Sequence, residues 1–221
     1  MDLAFFLGCS PELETVPEIE SVDLTKIIDP TTARAVAEFD KTSSGIYKGV
    51  LVANDMSYHG VLTVNFGNDS QYNAILEYGD DEKIGFIPVN VASANASNVM
   101  EFRGRNAGFT LNVGDYNQPV VSNGYINGEK AQTKLLKETS TNQVRVALGT
   151  FIDDLDPNFT GTWDMLSNST QIVTLSTGLG FPFPPTVDVI VNVISEVVLT
   201  KNATLFNDNV MEDFILGSSC S

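Results

Sequence analysis

Cysteine and histidine are nearly missing from this chain. Its 221 residues include two cysteines and one histidine, His59. Cys9 and Cys220 stand near opposite ends, so no CxxC-type metal or redox pair exists. A zinc site would have to be built almost wholly from carboxylates, which is uncommon. Positive charge is scarce too: 12 Lys and Arg against 28 Asp and Glu give a net charge of −16 and a pI near 4.2. Affinity for nucleic acid comes mostly from cations that neutralise phosphates. With so few basic residues, scattered along the chain, nucleic acid and direct docking on anionic lipid are discounted. Charge repulsion that keeps the protein soluble accounts for the acidic surface, with cation binding as the alternative. The sequence has no GxSxG elbow, no phosphate-binding glycine loop and no dinucleotide fingerprint. A catalytic triad at His59 would need a Ser or Cys nucleophile and an orienting acid near it, and Cys9 stands at the wrong end of the chain. No apolar run approaches the ~20 residues of a membrane-spanning helix.

What the chain does have is β pattern. From Gly45 to Val113 one strand follows another, joined by turns of Asn, Asp, Gly and Ser. In His59–Phe66, Leu62, Val64 and Phe66 point one way while Thr63 and Asn65 point the other, the period of a half-buried strand. Tyr72–Tyr78 alternates likewise. Ile84–Val91 contains Pro88, which marks an edge or a bulge. Val99–Arg103 and Phe109–Val113 form the next hairpin, and Val120–Ile126 follows with a bulge or turn at Asn123-Gly124. Gln132–Glu138 and Val144–Phe151 are expected to pair across residues 139–142. Short turns between strands make neighbours antiparallel, since parallel strands need long crossovers.

The flanks differ. Residues 10–30 are acidic, contain three prolines and hold no lasting period, which suits an extended tether. Residues 31–40 are the one helix candidate, with Ala33, Val36, Ala37 and Asp40 at helical spacing. Residues 164–185 hold a Ser/Thr/Asn run and then GLGFPFPP, whose prolines bar a central strand and point to a linker or loop. Val187–Val193 and Val197–Thr200 are β-rich. The expected fold is all-β: an antiparallel meander forming a barrel or, as second choice, a sandwich, with one short N-terminal helix. A barrel removes exposed sheet edges, which favours it. The domain reading is a single β domain over 31–221, with the helix at 31–40, the main meander at 45–151 and C-terminal strands within 161–200.

Phe6-Leu7-Gly8-Cys9 resembles a bacterial lipobox, in which a small residue precedes a cysteine that is lipidated and becomes the new N-terminus. Residues 1–9 then read as the remnant of a signal peptide. The acidic stretch Ser10-Pro11-Glu12-Leu13-Glu14 is similar to that following the lipidated cysteine in Bacteroidota (flavobacterial-type) surface lipoproteins. The resemblance implies a lipid anchor at Cys9 and an address at the outer membrane or cell surface. Gly161-Thr162-Trp163 has the Gly-x-Trp form that opens a strand in calycins, the lipocalins and their relatives, and Gly45-Ile46-Tyr47 has the same shape. This resemblance implies a calycin-like barrel whose apolar interior is lined by Tyr47, Leu62, Val64, Phe66, Leu76, Phe109 and Leu111, with Trp163 near one end. The alternative for Trp163 is a strand-opening aromatic packed on the core.

Asp154, Asp156 and Asn158 stand at alternating positions, with Asp153 beside them, as oxygen ligands do at the start of a calcium loop. Phe159 and Met165 occupy the places where an EF-hand needs Gly and Glu, so a looser calcium site or a solvated acidic turn remains. Asn207, Asp208, Glu212 and Asp213 form a second acidic cluster. Glu77 and Glu101 could pair for glycoside hydrolysis or lie on solvated faces. The function expected is a non-enzymatic cell-envelope lipoprotein, monomeric, that binds a small apolar ligand, a glycan or a protein partner, with calcium the one cofactor in play. A structural or adhesive surface protein, calcium-stiffened, is the alternative, and a glycoside or lipid hydrolase the weaker one.

Overall fold

A computed structural model describes residues 29–89, 91, 98–152, 158, 160–179 and 189–192. Eight strands form a closed antiparallel barrel in meander order, so the all-β barrel expected from the alternation is the one found. They are β1 (Gly45–Ala53), β2 (His59–Phe66), β3 (Tyr72–Tyr78), β4 (Glu82–Pro88), β5 (Val99–Gly104), β6 (Ala107–Asn112), β7 (Val120–Ile126) and β8 (Glu129–Lys137). The barrel closes through β1 and β8, with Tyr47 opposite Lys137 and Leu51 opposite Thr133. The alternation decides which side chains go inside: Leu62, Val64 and Phe66 of β2 join Ala74 and Leu76 of β3 in one buried cluster.

The expected hairpin between Gln132–Glu138 and Val144–Phe151 does not form. β8 has its two edges taken by β7 and β1. A lone bridge between Thr139 and Asn142 turns the chain off the barrel instead. It enters a second antiparallel sheet of four strands: β9 (Arg145–Ile152), β10 (Thr160–Ser167), β11 (Gln171–Leu179) and β12 (Val189–Asn192), in the order β12-β11-β10-β9. β11 falls inside the stretch read as linker or loop. Its Val173, Leu175 and Thr177 alternate with Ile172, Thr174 and Ser176, a period that the Ser/Thr content masked. Val173, Leu175 and Leu166 of this sheet pack on Val50, Val52 and Leu136, which are outward-facing positions of the barrel wall.

The helix expected over 31–40 is a single 3-10 turn, Ala37–Phe39. Val36 before it is extended, at φ −97 and ψ 133. Asn68 explains why: its Oδ1 accepts from the Val36 N–H at 3.1 Å and its Nδ2 donates to the Arg34 carbonyl at 3.0 Å. The side chain thus ties the backbone at Arg34 and Val36 to the barrel rim, in place of the bonds a longer helix would make there. Val36 itself is exposed rather than turned to a core.

Candidate functional site

The barrel interior holds the seven residues expected to line a ligand site. Tyr47, Leu62, Val64, Phe66, Leu76, Phe109 and Leu111 all face inward and all belong to one buried cluster. Each is at most 2% exposed. They pack into the surrounding core: Phe109 stacks on Phe102 with centroids 5.1 Å apart and meets Phe86 edge-on at 5.2 Å, while Phe66 meets Tyr72 at 5.4 Å. These are the offset and edge-to-face arrangements that aromatic quadrupoles favour. As placed, the seven side chains are the core of the barrel.

Trp163 is not among them. It lies on β10 of the second sheet and is 37% exposed, so it is not at an end of the barrel interior. Its ring crosses Gly149, the residue directly opposite on β9, where a Cβ would stand 2.0 Å from Trp163 Cε2. Phe151 covers Gly161 in the same way from the neighbouring pair. A large ring opposite a glycine fills the surface that the missing side chain leaves.

The position assigned to Trp163 is held by Tyr47, from the other Gly-x-aromatic triplet. Its hydroxyl donates to the Ser43 carbonyl at 2.7 Å. Beside it, Lys137 points into the barrel mouth. The ammonium donates to the carbonyls of Phe39 and Ser44, each at 2.7 Å, and to that of Thr42. It also lies 4.8 Å from the Tyr116 ring centroid and 5.7 Å from that of Tyr47. Burial pushes its pKa down to about 8, and the nearby Asp40 opposes that push. The ammonium therefore stays charged at neutral pH and staples the 39–44 loop across the barrel end.

His59 sits where the barrel meets the second sheet. Its Nε2 is 2.6 Å from Oδ1 of Asp164 on β10. The Asp164 carboxyl is fully buried, and burial raises its pKa, while the His59 hydrogen bond and charge, the Gly149 N–H and the Thr162 hydroxyl oppose the rise. Sequence reading missed Asp164. The available signal was a carboxylate at an inward position of β10, in period with Leu166. The pair joins the barrel wall at β2 to the second sheet at β10.

A further feature lies in the barrel wall. β7 and β8 pair only at Tyr125–Lys130 and Ile126–Glu129. The cause is in β7: Gly108 is opposite Tyr125 and Thr110 opposite Ser122, so β7 carries one extra residue there, with Asn123 at φ 53. This is the bulge expected at Asn123-Gly124, and it interrupts the ladder locally. A cleft of about 390 Å³ opens beyond it, walled by residues 121–124 of β7 and 131–134 of β8.

The remaining candidates are placed as follows. Glu77 pairs with Lys83 at 2.7 Å and Glu101 with Arg103 at 2.6 Å, so each carboxylate has its own cation. Asp153, Asp154 and Asp156 lie outside the described residues, as do Cys9, Asn207, Asp208, Glu212 and Asp213. Asn158 is exposed. Among the described residues no three of His, Cys, Asp and Glu converge as metal ligands would, and no helix is long and apolar enough to cross a membrane. The chain matches no family model, no curated protein and no solved structure.

Proposed function

We propose that this protein is a non-enzymatic binding module of the cell envelope, held to the membrane by lipid on Cys9 and spaced from it by the acidic tether of residues 10–30. Its partner is a protein or a glycan met at the outer surface. The observation that carries this reading is the filled barrel. A barrel that stores a small apolar ligand keeps a cavity, and pockets for such ligands usually run to about 300–1,000 Å³. Here the aromatic stack of Phe86, Phe102 and Phe109 and the residues around it leave their own side chains at most 1% exposed. The exterior, by contrast, has structure to spare: a stapled mouth, a broken ladder and a second sheet with Trp163 on its surface.

A structural or adhesive surface protein, calcium-stiffened through Asp153, Asp154, Asp156 and Asn158, is the second reading, and the same filled core favours it. Two measurements separate these readings from a ligand carrier or an enzyme. Metabolic labelling with palmitate is expected to mark the wild-type chain and not Cys9→Ser, which moves to the soluble fraction. Native mass spectrometry of the gently purified protein is expected to give the bare polypeptide mass. A stoichiometric small-molecule adduct would overturn the exterior reading, and a discrete calcium adduct lost in Asp154→Ala would select the adhesive one.

A further inference from the structure

The second sheet ends on a long open edge. The eight barrel strands close on themselves, which leaves that sheet no edge. In the order β12-β11-β10-β9, the β12 edge is 4 residues long and β9 runs for 8. Among the described residues β9 pairs with β10 alone. Native edges are blunted by lysine, proline, inward charge or a bulge. β9 contains no lysine, proline or carboxylate, and its register with β10 is unbroken from Arg145 to Ile152.

The main-chain groups on that edge can be assigned. The Phe151 carbonyl accepts from the Thr160 hydroxyl at 2.8 Å, so it points toward β10. Main-chain groups alternate from one side of a strand to the other. Those of Val146, Leu148, Thr150 and Ile152 therefore point away from β10, to the open side. The side chains of the same residues lie on the barrel-facing side, since Leu148 is opposite Asp164 and Thr150 opposite Thr162, both buried there. Val146 packs on the barrel wall. Leu148 and Ile152 are 38% and 63% exposed, and Thr150 is exposed as well. From Leu148 onward β9 overhangs the wall, and solvent lies beneath its free edge.

Charge narrows the choice of occupant. The one charged side chain on β9 is Arg145, which is exposed and makes no ion pair among the described residues. In antiparallel addition the C-terminal end of an incoming segment comes to lie beside Arg145, where a carboxylate complements it. Alternate side chains of the segment turn under the edge, toward Leu148 and Ile152. Strand addition draws its affinity from main-chain bonds and its specificity from the side chains of alternate residues.

We propose that the free edge of β9 takes up, by antiparallel strand addition, an extended segment of a partner protein with apolar residues at alternate positions and an acidic residue toward its C-terminal end. The proposal rests on the binding-module reading and supplies its site.

Hydrogen exchange on the full chain is the first test. The amides of Leu148 and Thr150 are expected to exchange quickly, and those of Ala147 and Gly149 slowly. Slow exchange at Leu148 and Thr150 in dilute protein would mean that the chain covers its own edge, and slowing as protein concentration rises would give the edge to a second copy. Either result would overturn the proposal. A random heptapeptide library, displayed on phage and panned on the full chain, then supplies ligands, with Thr150→Pro as counter-selection. Proline is tolerated on an edge strand where the N–H faces solvent, so this variant keeps its ladder and loses an outward donor. Arg145→Glu, at an exposed position, repeats the test without touching the backbone. Enriched peptides are expected to alternate Val, Ile or Leu with polar residues, to carry Asp or Glu toward the C-terminal end, and to slow exchange at Leu148 and Thr150. Their affinity is expected to drop about tenfold or more in each variant. N-methylation of one alternate set of peptide amides is expected to abolish binding, and of the other set to leave it intact. No enrichment over Thr150→Pro, or equal sensitivity of the two amide sets, would sink the proposal. Peptides that protect another face would overturn the β9 assignment and leave the binding-module reading standing.

Discussion

His59 Nε2 and Asp164 Oδ1, 105 residues apart in the chain, meet at 2.6 Å where the barrel wall and the second sheet touch. Removing the imidazole leaves a buried carboxyl without its hydrogen-bond partner, and such a loss costs about 1–3 kcal/mol. Asp164 has its pKa raised by burial, so the native state holds the proton more tightly than the unfolded chain does. Its contribution to stability is therefore greatest in acid and falls away as pH rises through the folded pKa. His59→Ala is expected to destabilise the protein at pH 7 and to cost less toward pH 4, as the carboxyl takes up its proton. Urea melts at the two pH values check this. Equal losses at both would mean that the pair contributes packing alone.

Glu138 offers the same sign without a partner cation in contact. It is buried, and its Oε1 accepts the Val144 N–H at 3.1 Å. Burial raises its pKa, opposed by that hydrogen bond and by Lys48. Glutamine keeps the acceptor and removes the charge. Glu138→Gln is expected to raise Tm at pH 7, with the gain shrinking toward pH 4 as the native carboxyl takes its proton. Calorimetry across that range reads the difference, and a lower Tm at pH 7 would refute it.

Some of this was legible beforehand and some was not. The strands β2, β3 and β7 begin and end where the alternation placed them, because period 2 with polar turns is a local signal. The bulge at Asn123-Gly124 was readable for the same reason. The partner of β8 was not. Whether Gln132–Glu138 pairs forward to Val144–Phe151 or back to β1 depends on barrel closure, which no window of neighbouring residues encodes. Residues 31–40 misled because helical spacing of Ala33, Val36 and Ala37 says nothing about Asn68, which captures that backbone from 32 residues away. The seven interior residues were found correctly as an inward face. Their packing into a solid core depends on how Phe86 and Phe102 fill the remaining space. Trp163 was placed by a three-residue pattern that Tyr47 also satisfies, and the meander begins with Tyr47.

The filled interior makes a testable statement about volume. Phe109 is 1% exposed and touches both Phe86 and Phe102. Phe109→Ala is expected to cost about 3–5 kcal/mol, part of it for the cavity left behind. The same variant should gain xenon or benzene binding that the wild type lacks, seen as new shifts of the surrounding methyl resonances. Binding of either probe by the wild type would show a cavity in the native barrel.

Trp163 is the single tryptophan, so its fluorescence reports one place. Gly149→Ala puts a methyl where the indole lies, 2.0 Å from Cε2. The ring has to lift off the sheet, and overpacking of this kind costs about 1–3 kcal/mol. Emission is expected to shift to the red, as for a more solvated indole. An unchanged spectrum would mean that the ring does not rest on Gly149.

At the barrel mouth, Lys137→Met keeps the aliphatic stem and removes three donors. The carbonyls of Phe39, Thr42 and Ser44 then lose their shared partner. A loss of about 1–3 kcal/mol is expected, with faster amide exchange over 39–44 than in β1. Exchange unaltered in that loop would show that the ammonium does not hold it.

The closure between β1 and β8 also orders events in time. Tyr47 and Lys137 stand opposite each other, yet the six intervening strands separate them in the chain. Contacts between residues so distant form slowly, because loop entropy is lost before any contact rewards it. Val50, Val52 and Leu136, the floor on which the second sheet rests, are assembled only by that closure. During synthesis, then, β9 to β11 emerge with nothing to land on until the last-made strand of the barrel has found the first. A nascent chain released before that moment exposes Leu166, Val173 and Leu175 together, and it is this intermediate, rather than the finished fold, that would call on a chaperone.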